Sequence, residues 1–180
     1  MTQSGQAGTA ASRKLIKPDE SLNADRALLD RLHRGVQADP SLMPFGSTVG
    51  LSVELIREGE AVVVLQTDER HENIVGYTHG GVLFTLADTA IGLAHLSTLR
   101  EQETATTVEI KINYLRPVWH TRLRAHGRMV KRGKLLSLLE CDLHDGDGRL
   151  VARASGTMMT VPQDKTVGRG QFHFKELESD

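Results

Sequence analysis

Cysteine is almost missing from this chain, which carries one, Cys141, among 180 residues. A single thiol excludes an intrachain disulfide framework and fits a reducing cytoplasm. Cys141 lies in an apolar, strand-like run, where a buried inert thiol is expected rather than a nucleophile. An excess of one charge is lacking as well, since 22 Lys and Arg stand against 23 Asp and Glu, a net charge of −1. That balance gives no general attraction to nucleic acid or to a membrane surface. No apolar run is long enough to span a membrane; the stretch 82–96 is too short and is interrupted by Asp88. The opening Met1-Thr2-Gln3-Ser4-Gly5 has no apolar core of a secretory signal. There is no Gly-Xaa-Ser-Xaa-Gly elbow and no glycine-rich nucleotide fingerprint, which argues against a Ser-His-Asp hydrolase and a nucleotide fold. His33, His71, His95, His120, His126, His144 and His173 are scattered without ligand spacing, so neither a metal site nor a cofactor is expected.

What is present is an ordinary balance of 39% hydrophobic and 25% charged residues in a length that suits one domain. Residues 1–18, rich in small and polar types, are expected to be a disordered leader. Leu22, Leu28, Leu29, Leu32 and Val36 recur at helical spacing, giving an N-terminal helix and loop over 19–45. From Gly46 the period changes to that of strands, with a hairpin over 47–66 turning at Glu58-Gly59-Glu60. Thr67 to Thr78 reads as an irregular connection. After a helix come four more strands, near 104–115, 121–130, 135–143 and 150–161, with turns at Lys131-Arg132-Gly133-Lys134 and Asp145-Gly146-Asp147-Gly148. In the first of them, Thr107, Glu109, Lys111 and Asn113 are expected on one face against Val108, Ile110, Ile112 and Tyr114. Residues 162–180 read as a loose tail. The order implies an α+β fold: six antiparallel strands curved around one long helix.

That helix is the focus. It opens at His79-Gly80-Gly81, and from Val82 to Leu96 nearly every position is apolar or small, so burial on all sides is expected. Asp88 sits in its middle. An ionised carboxylate there is costly unless it is paired, bonded to backbone and the Thr85 or Thr89 hydroxyls, or facing a wet pocket, and the last alternative makes it a site candidate. The free N–H groups at the glycine start form a natural carbonyl-oxygen site. Gly81 and Asp88 share a side of the helix but stand roughly 10 Å apart along its axis. One chain cannot apply both to one atom, whereas two antiparallel copies of the helix could. The spacing therefore predicts a dimer with two shared sites.

The run His79-Gly80-Gly81-Val82-Leu83-Phe84-Thr85-Leu86-Ala87-Asp88-Thr89-Ala90 resembles the signature of the PaaI-like acyl-CoA thioesterases of the hotdog fold, in the 4-hydroxybenzoyl-CoA thioesterase superfamily. The likeness continues through Thr106 to Pro117, Val130 to Lys134 and Gly148 to Ala154, and so covers a domain over 46–161. It implies a hotdog homodimer, often paired into a tetramer, that hydrolyses an acyl-CoA with no cofactor besides the coenzyme A of the substrate. Carried over by position, the catalytic set is Asp88, Asn73, Gly81, His79 and Thr107. Asp88 is the carboxylate, a general base on water or a nucleophile through a mixed anhydride. A base profits from a raised pKa, and burial works in that direction. Asn73 and the Gly81 N–H polarise the thioester carbonyl from the opposite subunit, and Thr107 either holds water or is a plain strand residue. His79 either positions the Gly-Gly turn or simply starts the helix. Gly80, Arg116, Pro117, Lys131, Arg132, Gly133 and Lys134 are the expected coenzyme A contacts, the cations meeting its phosphates. A non-catalytic acyl-CoA binder and a hotdog hydratase are the alternatives; the acyl group is left open between aromatic, medium-chain and longer ones.

Overall fold

In a computed structural model of the protein, the described residues are Arg34, 42–100 and 102–162. The leader, the rest of the amphipathic segment near 22–36 and the tail beyond Pro162 lie outside them. Helix α1 (Pro44–Val49) is followed by β1 (Ser52–Arg57), β2 (Glu60–Gln66), a 3-10 turn (Glu69–His71), α2 (Gly80–Leu96), β3 (Glu103–Tyr114), β4 (Arg122–Lys131), β5 (Leu136–His144) and β6 (Leu150–Pro162). The six strands form one antiparallel sheet in the order β1-β2-β4-β5-β6-β3, which leaves β1 and β3 at the edges. The sheet wraps α2, so the expected α+β hotdog architecture is the one observed.

Helix α1 replaces the start of the expected hairpin. Pro44 sits at its first turn, where no N–H is needed, and Gly50 closes it with φ 84°, donating to Gly46 O at 2.9 Å. These two end signals outweigh the alternation of Val49 and Leu51. The hairpin itself begins at Ser52 and turns through Gly59, whose φ of 70° suits a residue without Cβ.

Helix α2 lies against β2 and β4 because both sides are small at the crossing. Ala87, Ala90 and Ala94 are fully buried, and a Cβ on Gly127 of β4 would stand 2.5 Å from Ala90 O. Leu83, Leu86 and Ile91 fill the core with Val63, Leu65, Leu123, Leu139 and Leu143. The helix is not buried all round, however. Gly81, Phe84, Thr85, Asp88, Thr89 and Gly92 recur every three or four positions and form an exposed or half-exposed stripe. Apolar composition hid this stripe, since Gly, Ala and Thr read alike whether they meet a core or an opening.

A β-bulge changes the reading of β3. Its pairing with β6 shifts between Thr107 and Glu109, so Val108 is an extra residue. Thr107 pairs with Met158, and Ile110, Ile112 and Tyr114 pair with Gly156, Ala154 and Ala152. Thr107 therefore shares the helix-facing side with Ile110, Ile112 and Tyr114. Glu109 points to the outer face, where it accepts from the Thr157 hydroxyl at 2.7 Å. The expected common face for Thr107 and Glu109 is thus corrected by one residue of register.

Candidate active site

The site grows from the start of α2. His79 is the N-cap, in an extended conformation, and its Nδ1 accepts from the Gly81 N–H at 2.9 Å. The Val82 N–H donates to His79 O at 2.9 Å. Among the described residues no partner faces the N–H of Gly80, the first residue of the helix. The carbonyl-polarising donor expected at Gly81 is therefore engaged by the His79 ring, and the neighbouring Gly80 carries the free one. This ring-to-amide bond also gives His79 a definite place: it caps the helix and holds the glycine turn.

Asp88 is half-buried on the open stripe of α2, so the complete desolvation expected of an all-buried helix does not apply to it. The Thr107 hydroxyl donates to Asp88 Oδ1 at 3.0 Å, across from β3. The bulge at Val108 makes this contact possible by turning Thr107 inward. Thr85 and Thr89 take no part, because their hydroxyls donate to Gly81 O and Thr85 O, at 2.9 and 2.8 Å. Among the described residues Asp88 has no cationic partner, and its Oδ2 has no hydrogen-bond donor.

Asn73 is fixed by its own loop. Its Oδ1 accepts from the Val75 and Tyr77 N–H groups at 3.0 and 3.3 Å, an Asx-type turn. With the oxygen so engaged, the amide nitrogen is left as a donor without a partner among the described residues. Asn73 lines a cleft of about 350 Å³ beside the helix start, together with Gly80, Leu83, Tyr114, Arg116 and Pro117. A second cleft, on the other side of the same glycines, takes in His79, Gly81, Val82, Phe45 and Val49. The helix start is accordingly open on both flanks.

The expected coenzyme A contacts do not gather in one place. Arg116 and Pro117 line the first cleft, and among the described residues the exposed Arg116 has no carboxylate partner. Lys131 to Lys134 lie at the far end of α2, about 25 Å along a helix of 17 residues. Lys131 and Lys134 are exposed, but the Arg132 side chain is 8% exposed and turned inward. It donates to Thr98 Oγ1 at 2.7 Å and pairs with Glu103 at 3.3 Å. Gly133 sits where a Cβ would meet Leu136 O at 2.0 Å, so it shapes the turn. Sequence reasoning missed Tyr114, whose hydroxyl donates to Gly80 O at 3.0 Å. Its signal was its place at the end of the strand that carries Thr107. Cys141, read as inert, is buried, and that burial pushes its thiol up to about 12.

Known proteins resemble this chain in sequence and fold. The thioesterase superfamily profile matches residues 75–152, the span from the Asn73 loop through α2 into β6. A protein of Saccharolobus solfataricus, provisionally named an esterase, is 31% identical over 109 residues, covering 61% of this chain and 72% of that one. A structure of a mutant of the phenylacetic acid degradation protein PaaI from Thermus thermophilus superimposes with a TM-score of 0.61 at 30% identity, over 64% of this chain and 97% of that one. A hypothetical thioesterase of Streptococcus pneumoniae, solved with coenzyme A, gives a TM-score of 0.59 at 30% identity, over 63% and 90%.

Proposed function

This chain belongs to the thioesterase superfamily, whose general chemistry is thioester hydrolysis, and on that footing we propose that it cleaves an acyl-CoA, or a related acyl thioester, to the free acid and coenzyme A. The observation that carries this reading is Asp88: a carboxylate on the open stripe of a buried helix, held at one oxygen by Thr107, with the other oxygen free of donors among the described residues. In hydrolysis its free oxygen takes a proton from the attacking water, or itself attacks the carbonyl carbon to form a mixed anhydride that water then opens. In either case charge grows on the thioester oxygen, the C–S bond breaks, and the thiolate leaves with coenzyme A. The Gly80 N–H, at the positive end of α2, is the donor we assign to that oxygen, with the Asn73 amide beside it. No metal or cofactor enters this scheme.

Asp88 lies eight positions beyond Gly80, about 12 Å along the axis, so the two act on one carbon only if they come from different chains. A homodimer supplies this. Its support is the free edge of β3, where Thr106 to Glu109 are exposed next to the open stripe of α2. Antiparallel pairing would also carry the Lys131–Lys134 turn of one chain toward the Arg116 cleft of the other, uniting the phosphate contacts. Leu136 and Leu138, exposed on the outer face of β5, offer a further apolar surface on which dimers would pair into a tetramer. The coenzyme A bound to the Streptococcus pneumoniae protein agrees with this substrate class.

Thiol release from benzoyl-, octanoyl- and palmitoyl-CoA tests the proposal, with Asp88→Asn beside the wild type. Release by the wild type, and a loss of at least about a thousandfold in a variant that melts normally, is expected. Binding of acyl-CoA without release would replace the enzyme by a binder.

A further inference from the structure

The peptide group between Gly80 and Gly81 is held at both of its ends by side chains from elsewhere. Its carbonyl accepts from the Tyr114 hydroxyl of β3 at 3.0 Å, and its N–H donates to His79 Nδ1 at 2.9 Å. A run of two glycines is the segment of a helix start freest to rotate, since neither residue has a Cβ to limit φ and ψ. Gly80 carries the gripped carbonyl and its own N–H on one Cα, so fixing that carbonyl limits the rotation about the N–Cα bond that would re-aim the N–H. The Tyr114 ring also packs directly on Gly80: a Cβ there would stand 3.2 Å from both Cζ and Oη. On the far flank, a Cβ on Gly81 would stand 2.9 Å from His79 Nδ1. Both glycines are therefore small because a clamping side chain lies against them.

We propose that Tyr114 and His79 are positioning residues that grip this peptide and hold the Gly80 N–H aimed at the carbonyl oxygen of the substrate. The inference rests on the thioesterase reading above and adds a task for two side chains that touch no reacting atom. Tyr114 suits it, because a phenol keeps its O–H at neutral pH and here donates it to the Gly80 carbonyl. Preorganisation of this kind acts on the transition state, where the oxygen is most negative, more than on the bound substrate. Loss of the grip should consequently appear in kcat and leave KM nearly unchanged.

The test uses Tyr114→Phe, which keeps the ring and removes the O–H, together with His79→Ala and the double variant. Each is assayed by thiol release on whichever of the three acyl-CoAs the wild type cleaves fastest. We expect Tyr114→Phe to lower kcat about tenfold with KM within about twofold, and His79→Ala to do the same. Because both side chains grip one peptide, the double variant should lose much less than the product of the single losses. A Tyr114→Phe kcat within twofold of the wild type, or strictly multiplicative losses, would overturn the clamp while Asp88→Asn still upholds the thioesterase. The nitrogen resonance of the Gly81 amide gives a second readout that needs no activity. It should move in Tyr114→Phe, and an unmoved resonance also overturns the clamp. A wild type inert toward every acyl-CoA would instead remove the reaction the clamp is meant to serve.

Discussion

The two ends of α2 are built on opposite plans. At its start the chain places two glycines, gives the Gly80 N–H no partner among the described residues, and opens a cleft on each flank. At its finish several nearby polar side chains are drawn into the protein. The Ser97 hydroxyl donates to Ala94 O at 2.7 Å and accepts from the Gly59 N–H at 2.8 Å. The Thr98 hydroxyl donates to His95 O at 2.8 Å and accepts from Arg132, which also meets Glu103. His95 Nε2 meets Thr160 Oγ1 at 3.1 Å with no side-chain exposure. A helix presents four unsatisfied donors at one end and four acceptors at the other. Here the acceptor end is sealed and anchors the helix on the sheet, while the donor end is kept available. The same element is thus tied to the sheet at one end and borders open clefts at the other.

Substitutions at the two ends should separate these roles. Arg132→Leu removes the cation that ties the β4–β5 turn to Thr98 and Glu103, leaving a half-buried carboxylate without its ion pair. The loss of stability should be about 3 kcal/mol, at the lower bound for breaking a buried pair, because Glu103 also accepts from the Arg100 N–H. Urea unfolding reads it, and kcat per folded molecule should stay near the wild-type value. Gly80→Ala does the reverse. Its Cβ pushes on Tyr114 and displaces the donor, so kcat should fall about a hundredfold, the scale for losing one oxyanion donor, with little change in unfolding. If Gly80→Ala destabilised the fold as much as Arg132→Leu, the division of labour along α2 would be lost.

The elements that were legible in the sequence are those governed by local signals. The His-Gly-Gly turn and the apolar run mark α2, and β4, β5 and β6 fall within a residue or two of their alternating patterns. Long-range facts were not legible. The bulge at Val108 is a matter of pairing with the distant strand β6, and nothing near Thr107 announces it. The inward turn of Arg132 depends on Glu103, which arrives from β3. The open stripe of α2 escaped because its small residues match those of a core, and Tyr114 escaped because its partner is a backbone carbonyl. Asn73, His79 and Asp88 were singled out by motif, whereas the engagement of the Gly81 N–H by His79 Nδ1 needed the position of one imidazole ring.

The sealed end has a pH dependence of its own. Burial of His95, with the positive Arg132 nearby and Glu103 only partly opposing it, lowers its pKa from the ordinary 6.5 to about 4. Its Nδ1 has no partner among the described residues, so an added proton finds no acceptor there. The unfolded chain accepts a proton on this residue at a higher pH than the folded one does. Stability from keeping His95 neutral is therefore complete above about pH 6.5 and is lost as the pH falls toward 4, reaching a loss of about 2 kcal/mol by pH 5. The carboxylates with lowered values, Glu54, Glu60, Asp68, Asp142 and Asp145, start from 4.5 or below and contribute mainly beneath that window. Urea midpoints measured from pH 7.5 to 5.0 should fall in the wild type and fall clearly less in His95→Gln. Equal slopes in the two proteins would place the proton uptake elsewhere, and the sealed end would then be held by Arg132 and its partners without help from the neutral ring.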